Sequence, residues 1–266
     1  MPEFVYDMAP AQLAITMSLI TIMAMVLGLL IIKPIFRLLI GTGPNFNQTL
    51  SFATGGFSLF YGLLLGLLTV AAYQNSERVK EGALAEAATL GSLYADVDAY
   101  PEPVRSDLRA MMRDYVLFTI HRDWDAHRDG ELLGGGTTRS AAMRQILADY
   151  EPETMGQGIR HAEVVSGFQD FTQARQQRIA GVIAAIPAVL WYAVLVGAAV
   201  NILLIVLLKM PLLQHYVLGT ISEFFLGVIL FVIVTLDRPL RGEAALEPTS
   251  MQLLGERVRV WDEPLS

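Results

Sequence analysis

Four long runs of apolar, uncharged residues form the main pattern of the chain. They cover residues 11–32, 50–73, 179–208 and 210–236, and Glu223 is the only acidic residue within them. Each run reaches or exceeds the roughly 20 residues that an α-helix needs to cross a hydrocarbon core of about 30 Å. The pattern therefore predicts four transmembrane helices.

A polar segment, residues 74–178, separates the second run from the third, and its apolar positions recur at helical spacing. We expect the second span to continue into this segment as a long helix. A helix that begins at Pro103, a flexible turn at 134–136, a short helix over 140–150 and a helix from about Gly158 into the third span should follow. The long helix carries one apolar stripe, formed by Val79, Ala83, Ala87, Leu90, Tyr94 and Val97.

No strand pattern accompanies these helices, so the predicted fold class is all-α, with a helical cytoplasmic domain inserted between the second and third spans. The predicted parts are a first transmembrane pair (1–73), the helical domain (74–178), a second transmembrane pair (179–236) and a cytoplasmic tail (237–266). The positive-inside rule places the helical domain and both termini in the cytoplasm. Basic residues beside the spans number six on that side (Arg78, Lys80, Arg175, Arg178, Arg238 and Arg241) and three on the other (Lys33, Arg37 and Lys209).

Composition supports a membrane protein, because 53% of the 266 residues are hydrophobic and only 17% are charged. The absence of cysteine excludes disulfides and thiolate sites for metals or redox chemistry. The net charge of −7 is spread among arginines, and without a clustered basic face no nucleic-acid partner is expected. The acidic N-terminus, with Glu3 and Asp7, lacks the basic region of a cleaved signal peptide, so we interpret the first run as a retained anchor.

Glu223 lies near the middle of the fourth span, where an ionised carboxylate without a partner costs about 2.5 to 3.5 kcal/mol. Its side chain should therefore face protein or water. Gly219 and Gly227, one turn away on either side, give the same face the small residues that let another helix approach closely. Glu223 is either a pore-lining or proton-accepting acid, or a neutral packing acid that is hydrogen-bonded to Asn201 or to a hydroxyl of the first span.

The second span has two features at one residue per turn. Ser58, Gly62 and Gly66 form a small-residue face with a GxxxG pattern, which favours close packing against another helix. About 100° around the helix, Phe57, Tyr61 and Leu65 form a bulky apolar stripe. This stripe could line a hydrophobic constriction that gates by dewetting, or it could face lipid or the protein core.

A cluster of charges is expected where the third and fourth spans, joined by a turn at 209–211, emerge at the cytoplasmic interface. Arg178 and Asp237 are placed to form a salt bridge there. The arginines are expected to form a basic ring that attracts anions or anionic lipid, or else simply to fix the topology. The cluster comprises Arg175, Arg178, Asp237, Arg238 and Arg241.

Candidate chemistry elsewhere in the polar segment is weak. Residues 121–129 hold the only concentration of possible metal ligands, and we interpret them as a solvated polar bend rather than as a metal site. The glycines of 134–136 lack the lysine and hydroxyl of a phosphate-binding loop and follow no strand. No nucleophile and base can be paired, so neither an enzyme nor a cofactor is expected.

The order and spacing of several motifs resemble a bacterial bestrophin-like membrane family over about residues 50 to 255. The motifs are 61–66, Glu86-Ala87, Leu93-Tyr94, Pro101-Glu102-Pro103 with Arg105 and Leu108, Arg175 and Arg178 before Pro187, Leu190 and Trp191, and 237–242.

The resemblance implies a four-span helical subunit similar to bestrophins, which assemble as rings of five around a central anion-conducting pore lined by the second span. On that analogy Phe57, Tyr61 and Leu65 are neck candidates. The acidic calcium-binding clasp of the animal channels has no counterpart in the sequence, and Glu223 leaves the sign of the permeant ion open.

The main hypothesis is a homo-oligomeric ion channel of a bacterial inner membrane, pentameric by resemblance, with the lipid bilayer and inorganic ions as its partners. One alternative is a non-conducting scaffold or sensor that recruits a partner through its cytoplasmic helices. The other is a proton-coupled transporter that uses Glu223.

Overall fold

The computed structural model describes residues 5–39 and 45–261 of the chain, and within these ranges the regular structure is helical, with no strand. The α-helices are α1 Pro10–Leu27, α2 Lys33–Leu39, α3 Phe46–Asp96, α4 Val104–Phe118, α5 Trp124–Arg128, α6 Gly135–Asp149, α7 Met155–Ile183, α8 Ala188–Leu207, α9 Leu212–Asp237 and α10 Thr249–Trp261.

Four helical stretches are long and apolar enough to cross a membrane, which confirms the all-α class and the number of spans. They are Pro10–Phe36, Phe46–Ala99, Met155–Leu207 and Leu212–Asp237. The first contains a π-helical turn, Gly28–Ile32, that joins α1 to α2. The second is α3, whose 51 residues continue beyond the apolar run without a break, as the helical stripe predicts.

The described residues divide into two compact units. The first comprises the described chain up to Gln74 together with Ala185–Asp237, and the second comprises Asn75–Ala184 together with the described chain from Arg238 onwards. In the first unit, α3, α8 and α9 share a core. Its buried members include Tyr61, Leu65 and Leu68 of α3, Trp191, Val194 and Ala198 of α8, and Leu226, Leu230, Ile233 and Val234 of α9.

The core of the second unit collects the apolar stripes of several helices. Leu90 and Tyr94 of α3 pack with Tyr115 of α4, Met143 of α6 and Phe171 of α7. The edge of the Tyr115 ring meets the Phe171 ring, with 5.1 Å between the ring centroids. The second unit therefore has a hydrophobic core built from several helices.

The third span differs from its prediction, because the helix is interrupted within the apolar run. α7 ends at Ile183, and α8 begins at Ala188 with Pro187 as its N-cap. Proline lacks an N–H and clashes with the carbonyl four residues earlier, so an uninterrupted helix through Pro187 is unfavourable. At its other end α7 begins at Met155, where Thr154 and Gln157 form a capping box.

Two further expectations are corrected, and the tail gains a helix. Residues 135 and 136 open α6 instead of forming a flexible turn. Residues 121–128 are helical, and Asp123, Trp124 and His127 are buried rather than solvated. The tail contains α10, whose residues Met251, Leu254 and Val258 complete the core of the second unit.

Candidate functional site

The most unusual polar group of the first unit is the carboxyl of Glu223, whose exposed fraction is 0%. The Asn201 amide of α8 donates to its Oε1 at 3.4 Å, and the Ser58 hydroxyl of α3 donates to Asn201 Oδ1 at 3.4 Å. The Thr21 hydroxyl of α1 donates to the backbone carbonyl of Glu223 at 2.7 Å. Side chains from three other helices therefore converge on one turn of α9.

Close helix packing encloses this polar group. A Cβ at Gly227 would overlap the backbone of Ser18, and a Cβ at Gly219 would lie 3.0 Å from the terminal carbon of Met25. The small face of α9 is thus in contact with α1, and larger side chains on it would force the two helices apart. Oε2 of Glu223 has no hydrogen-bond partner in the described part of the chain.

The bulky stripe of α3 faces mostly inward. Leu65 is buried, and the buried Tyr61 donates its hydroxyl to the carbonyl of Val194 at 3.0 Å while its ring covers Gly197 of α8. Phe57 is half-buried, and its ring stacks on that of Tyr61 with 5.8 Å between the centroids. The assignment of these residues to a neck stays a prediction, and within one subunit Tyr61 and Leu65 pack in the core.

The remaining surface of α3 within the apolar run 50–73 is largely exposed. A Cβ built at Gly62 or Gly66 meets nothing within 4 Å. On the far side of the helix from Tyr61, Phe60, Leu63 and Leu67 are also exposed. α3 therefore presents a small-residue face and a bulky apolar face that the described residues leave uncovered.

A network of buried charges lies in the second unit, around the Arg178 guanidinium. Nη2 donates to Glu86 Oε1 at 3.3 Å and to Asp123 Oδ2 at 3.0 Å, and Nη1 lies 3.1 Å from Nδ1 of His127. The Tyr115 hydroxyl donates to Glu86 Oε1. Both carboxylates therefore have hydrogen-bond donors, as buried charges require.

Burial changes the acid–base properties of this network. It lowers the pKa of His127 to about 4, because desolvation disfavours the charged imidazolium and the neighbouring Arg178 repels it. Burial, together with the negative charge of Glu86, raises the pKa of Tyr115 above its usual range. His127 is thus neutral at neutral pH, with Nδ1 free to accept from Arg178.

These contacts correct the predicted interfacial charge cluster. Arg178 is fully buried and uses its guanidinium on the acids of its own unit, so the expected Arg178–Asp237 salt bridge is wrong. In the first unit Asp237 instead accepts from the Tyr6 hydroxyl at 2.6 Å, from Nε1 of Trp191 at 3.3 Å and from the backbone N–H of Ile186. A buried carboxylate with neutral donors replaces the expected ion pair.

The other arginines of that cluster do not form an exposed basic ring either. Arg175 is buried, and Arg238 and Arg241 are half-buried. The guanidinium of Arg241 lies against Gly130, which has a φ of 77°, a conformation that favours glycine.

No group of three or more metal-binding side chains lies together in residues 5–39 and 45–261. The ligand-rich stretch 121–129 instead supplies Asp123 and His127 to the Arg178 network.

Two buried polar groups were missed from the sequence. Glu86 lies three residues after Ala83 of the apolar stripe. An acid at such a position in the stripe is the sequence signal for a buried carboxyl. In the first unit Nζ of Lys33 donates to the carbonyl of Leu208 at 3.1 Å and lies 2.7 Å from Nδ1 of His215. His215 is the only histidine within the apolar runs, a signal that was overlooked.

These features define an all-helical membrane protein with four candidate spans and a second helical unit with a core of its own. The sequence matches the Bestrophin-like domain over residues 20–251, so the chain belongs to the Bestrophin-like family. No curated protein matches it in sequence.

Solved structures with the same fold share little sequence with the chain. A bacterial bestrophin homologue from Klebsiella pneumoniae carrying a point mutation is 8% identical with a TM-score of 0.71, covering 94% of this chain and 99% of its own. A second mutant of that homologue is 9% identical with a TM-score of 0.63, and a mutant described as a membrane protein is 9% identical with a TM-score of 0.64. Each of these two covers 92% of this chain and 97% of its own.

Proposed function

We propose that the protein is a homo-oligomeric, bestrophin-like ion channel of a bacterial inner membrane. The observation that carries the proposal is the uncovered apolar half of α3, where a Cβ at Gly62 or Gly66 would meet no atom of the described residues within 4 Å. A monomer would leave this face to lipid, whereas a ring of copies can use it both for subunit contact and for a pore wall. Family membership supports the ring, and a ring of five is what the resemblance implies.

In this assembly the two open faces of α3 have different roles. The small face of Ser58, Gly62 and Gly66 packs against a helix of the next copy, because small residues allow close approach in lipid. The bulky face with Phe60, Leu63 and Leu67 turns to the central axis and forms a hydrophobic constriction. The neck then lies one face further around α3 than the sequence-based candidates Phe57, Tyr61 and Leu65.

The proposed topology places the polar helical segment between the second and third spans in the cytoplasm, together with both termini. Its support is the excess of basic residues beside the spans on that side. The domain limits of 74 and 178 are part of this proposal. The anion preference rests on the family resemblance.

The test uses the absence of cysteine from the chain. Single cysteines are introduced at 57, 60, 61, 63, 65 and 67, and currents are recorded in planar bilayers before and after a charged, water-soluble thiol reagent. We expect discrete conductance that the reagent changes at 60, 63 and 67, and not at 61 and 65.

The cysteine-free parent protein is the control for reagent effects. Conductance changes confined to the cysteines at 57, 61 and 65 would instead place the neck at the stripe predicted from the sequence, Phe57, Tyr61 and Leu65. No conductance with any ion, or a protein that stays monomeric in nanodiscs, would contradict the channel itself. Reversal potentials in asymmetric salt give the sign of the permeant ion.

A second candidate function is proton-coupled transport, favoured by the buried Glu223 carboxyl with one oxygen lacking a partner. Its test is flux into proteoliposomes under a pH gradient. Glu223→Gln should abolish flux while the oligomer stays intact. Unchanged flux in that variant would exclude this role.

A further inference from the structure

The first turn of α6 is an uncapped helix N-terminus. Its N-cap residue, Gly134, has no side chain, and the first backbone hydrogen bond runs from Thr138 N to Gly134 O at 3.1 Å. The N–H groups of Gly135, Gly136 and Thr137 therefore have no acceptor within the helix. This contrasts with α7, where a capping box satisfies the same positions.

A buried arginine points at this turn. Arg175 of α7 has an exposed fraction of 7%, and its Nη2 donates to Thr137 Oγ1 at 3.1 Å. Its Nε has no hydrogen-bond partner in the described residues, and no salt bridge involves it there. A buried guanidinium without an anion is costly, so an anion beside Arg175 would be stabilising.

The acids near the site are already paired with other arginines. Arg178 holds Glu86 and Asp123, and Arg139 holds Asp114 at 2.8 Å. The protein therefore offers no spare carboxylate to Arg175 from these neighbours.

The glycines of α6 give the guanidinium access to the helix backbone. A Cβ at Gly136 would lie 3.0 Å from Nη2 of Arg175, so any side chain there would displace the guanidinium. A Cβ at Gly135 would overlap the ring of Phe118. Thr137 is exposed and opens the site to solvent.

We propose that the N-terminus of α6 and Arg175 form a binding site for a phosphate-type oxyanion, either free phosphate or the phosphate of a lipid headgroup. Unpaired N–H groups and the helix dipole favour an anion at this position. The planar guanidinium adds a donor fork that matches oxyanion geometry, and the Thr137 hydroxyl adds another donor.

The test measures binding of inorganic phosphate to the full-length protein in detergent by calorimetry, with chloride as the comparison ion. We expect saturable binding that Arg175→Gln weakens by about 10- to 100-fold, the value of one lost charge-assisted hydrogen bond or more. Gly136→Ala should weaken it while retaining Arg175. Arg160→Gln, an exposed arginine on the same helix, is the matched control and should bind as the parent does.

Binding measurements on the protein in nanodiscs with and without phosphatidic acid distinguish free phosphate from a lipid headgroup as the ligand. Free phosphate that binds in lipid lacking phosphatidic acid identifies the soluble anion. Binding seen only with phosphatidic acid and lost in Gly136→Ala identifies the headgroup. Absence of binding in both, or equal binding by Arg175→Gln, Gly136→Ala and the parent, would overturn the site. Unfolding temperatures without phosphate show whether each variant is folded.

Discussion

Glu223 and Glu86 are both glutamates with no exposed surface, yet the two units surround them in opposite ways. Glu86 is held by the Arg178 guanidinium and the Tyr115 hydroxyl. Glu223 accepts one long hydrogen bond, from the neutral Asn201 amide, and no basic side chain forms a salt bridge with it in the described residues.

The difference shows that burial alone does not reveal what a buried acid does. A paired carboxylate such as Glu86 fixes helices in one arrangement, because losing its partner would leave an uncompensated charge. An acid with neutral neighbours inside a membrane span can gain or lose a proton without breaking an ion pair. Glu86 is therefore held as the charged partner of Arg178, whereas Glu223 forms no ion pair in the described residues.

The largest expected effect comes from removing the cation of the paired site. Arg178→Met should lower the free energy of unfolding by about 3 to 5 kcal/mol, because Glu86 and Asp123 would stay buried without their counter-charge. The measurement is reversible unfolding in mixed micelles. The exposed pair of Arg105 and Glu102 supplies the control: Arg105→Gln should cost no more than about 1 kcal/mol.

Similar losses for Arg178→Met and Arg105→Gln would contradict a tightly coupled network. The double variant Arg178→Met with Glu86→Gln sharpens the comparison. It should recover part of the loss, since it removes the stranded charge as well as its partner.

The next effect is a dependence of stability on pH that arises from His127 in the second unit. The folded pKa of His127 is about 4, below its ordinary 6.5. Between these values the unfolded chain binds a proton that the folded protein does not, so the free energy of unfolding falls as the pH decreases from 6.5 towards 4. The loss should approach about 3 kcal/mol at pH 4.

His127→Gln isolates this contribution, because glutamine can still accept from Arg178 but does not titrate. Its stability should fall less steeply over the same pH range. Curves that run parallel for the two proteins would mean that His127 titrates normally in the folded state.

The sequence was sufficient for the spans and the long helix because apolar length and periodicity are local properties. It also placed Glu223 on a small-residue face with Gly219 and Gly227, since residues four apart share a side of a helix, and offered Asn201 as one possible hydrogen-bond partner. Pro187 signals the helix break before Ala188. The long apolar run around it favours one uninterrupted span, and the prediction followed the run.

The Arg178 network could not be predicted in the same way. Its members come from three separate parts of the chain, Glu86, residues 115–127 and Arg178, and nothing local shows which arginine meets which acid. Arg175 and Arg178 are three residues apart, and the sequence does not distinguish their roles. In the fold the Arg178 guanidinium is paired with acids, whereas the Arg175 guanidinium lies at the start of α6. Both guanidiniums are buried, which the position of a charge near a span does not reveal.

A smaller effect tests how tightly the surroundings of Glu223 are closed. Gly227→Ala would place a Cβ against the backbone of Ser18, which cannot rotate away, so we expect a loss of about 1 to 3 kcal/mol in unfolding free energy. Gly56→Ala in α3 is the matched control, because a Cβ there meets nothing within 4 Å. It should be neutral or stabilising by up to about 1 kcal/mol. Equal effects would mean that α1 and α9 are not closely packed.

The smallest effect is expected at Glu223 itself. Glu223→Gln keeps the size of the side chain and an oxygen that can accept from Asn201, and it removes no ion pair. The free energy of unfolding should change by less than about 1 kcal/mol, whereas Glu86→Gln, the same substitution at the paired site, should cost clearly more because Arg178 loses its charged partner. Measuring both variants under one condition decides the comparison: a Glu223→Gln loss as large as that of Glu86→Gln would show that Glu223 is held as a charged structural group, and would remove it as the acid available for proton binding.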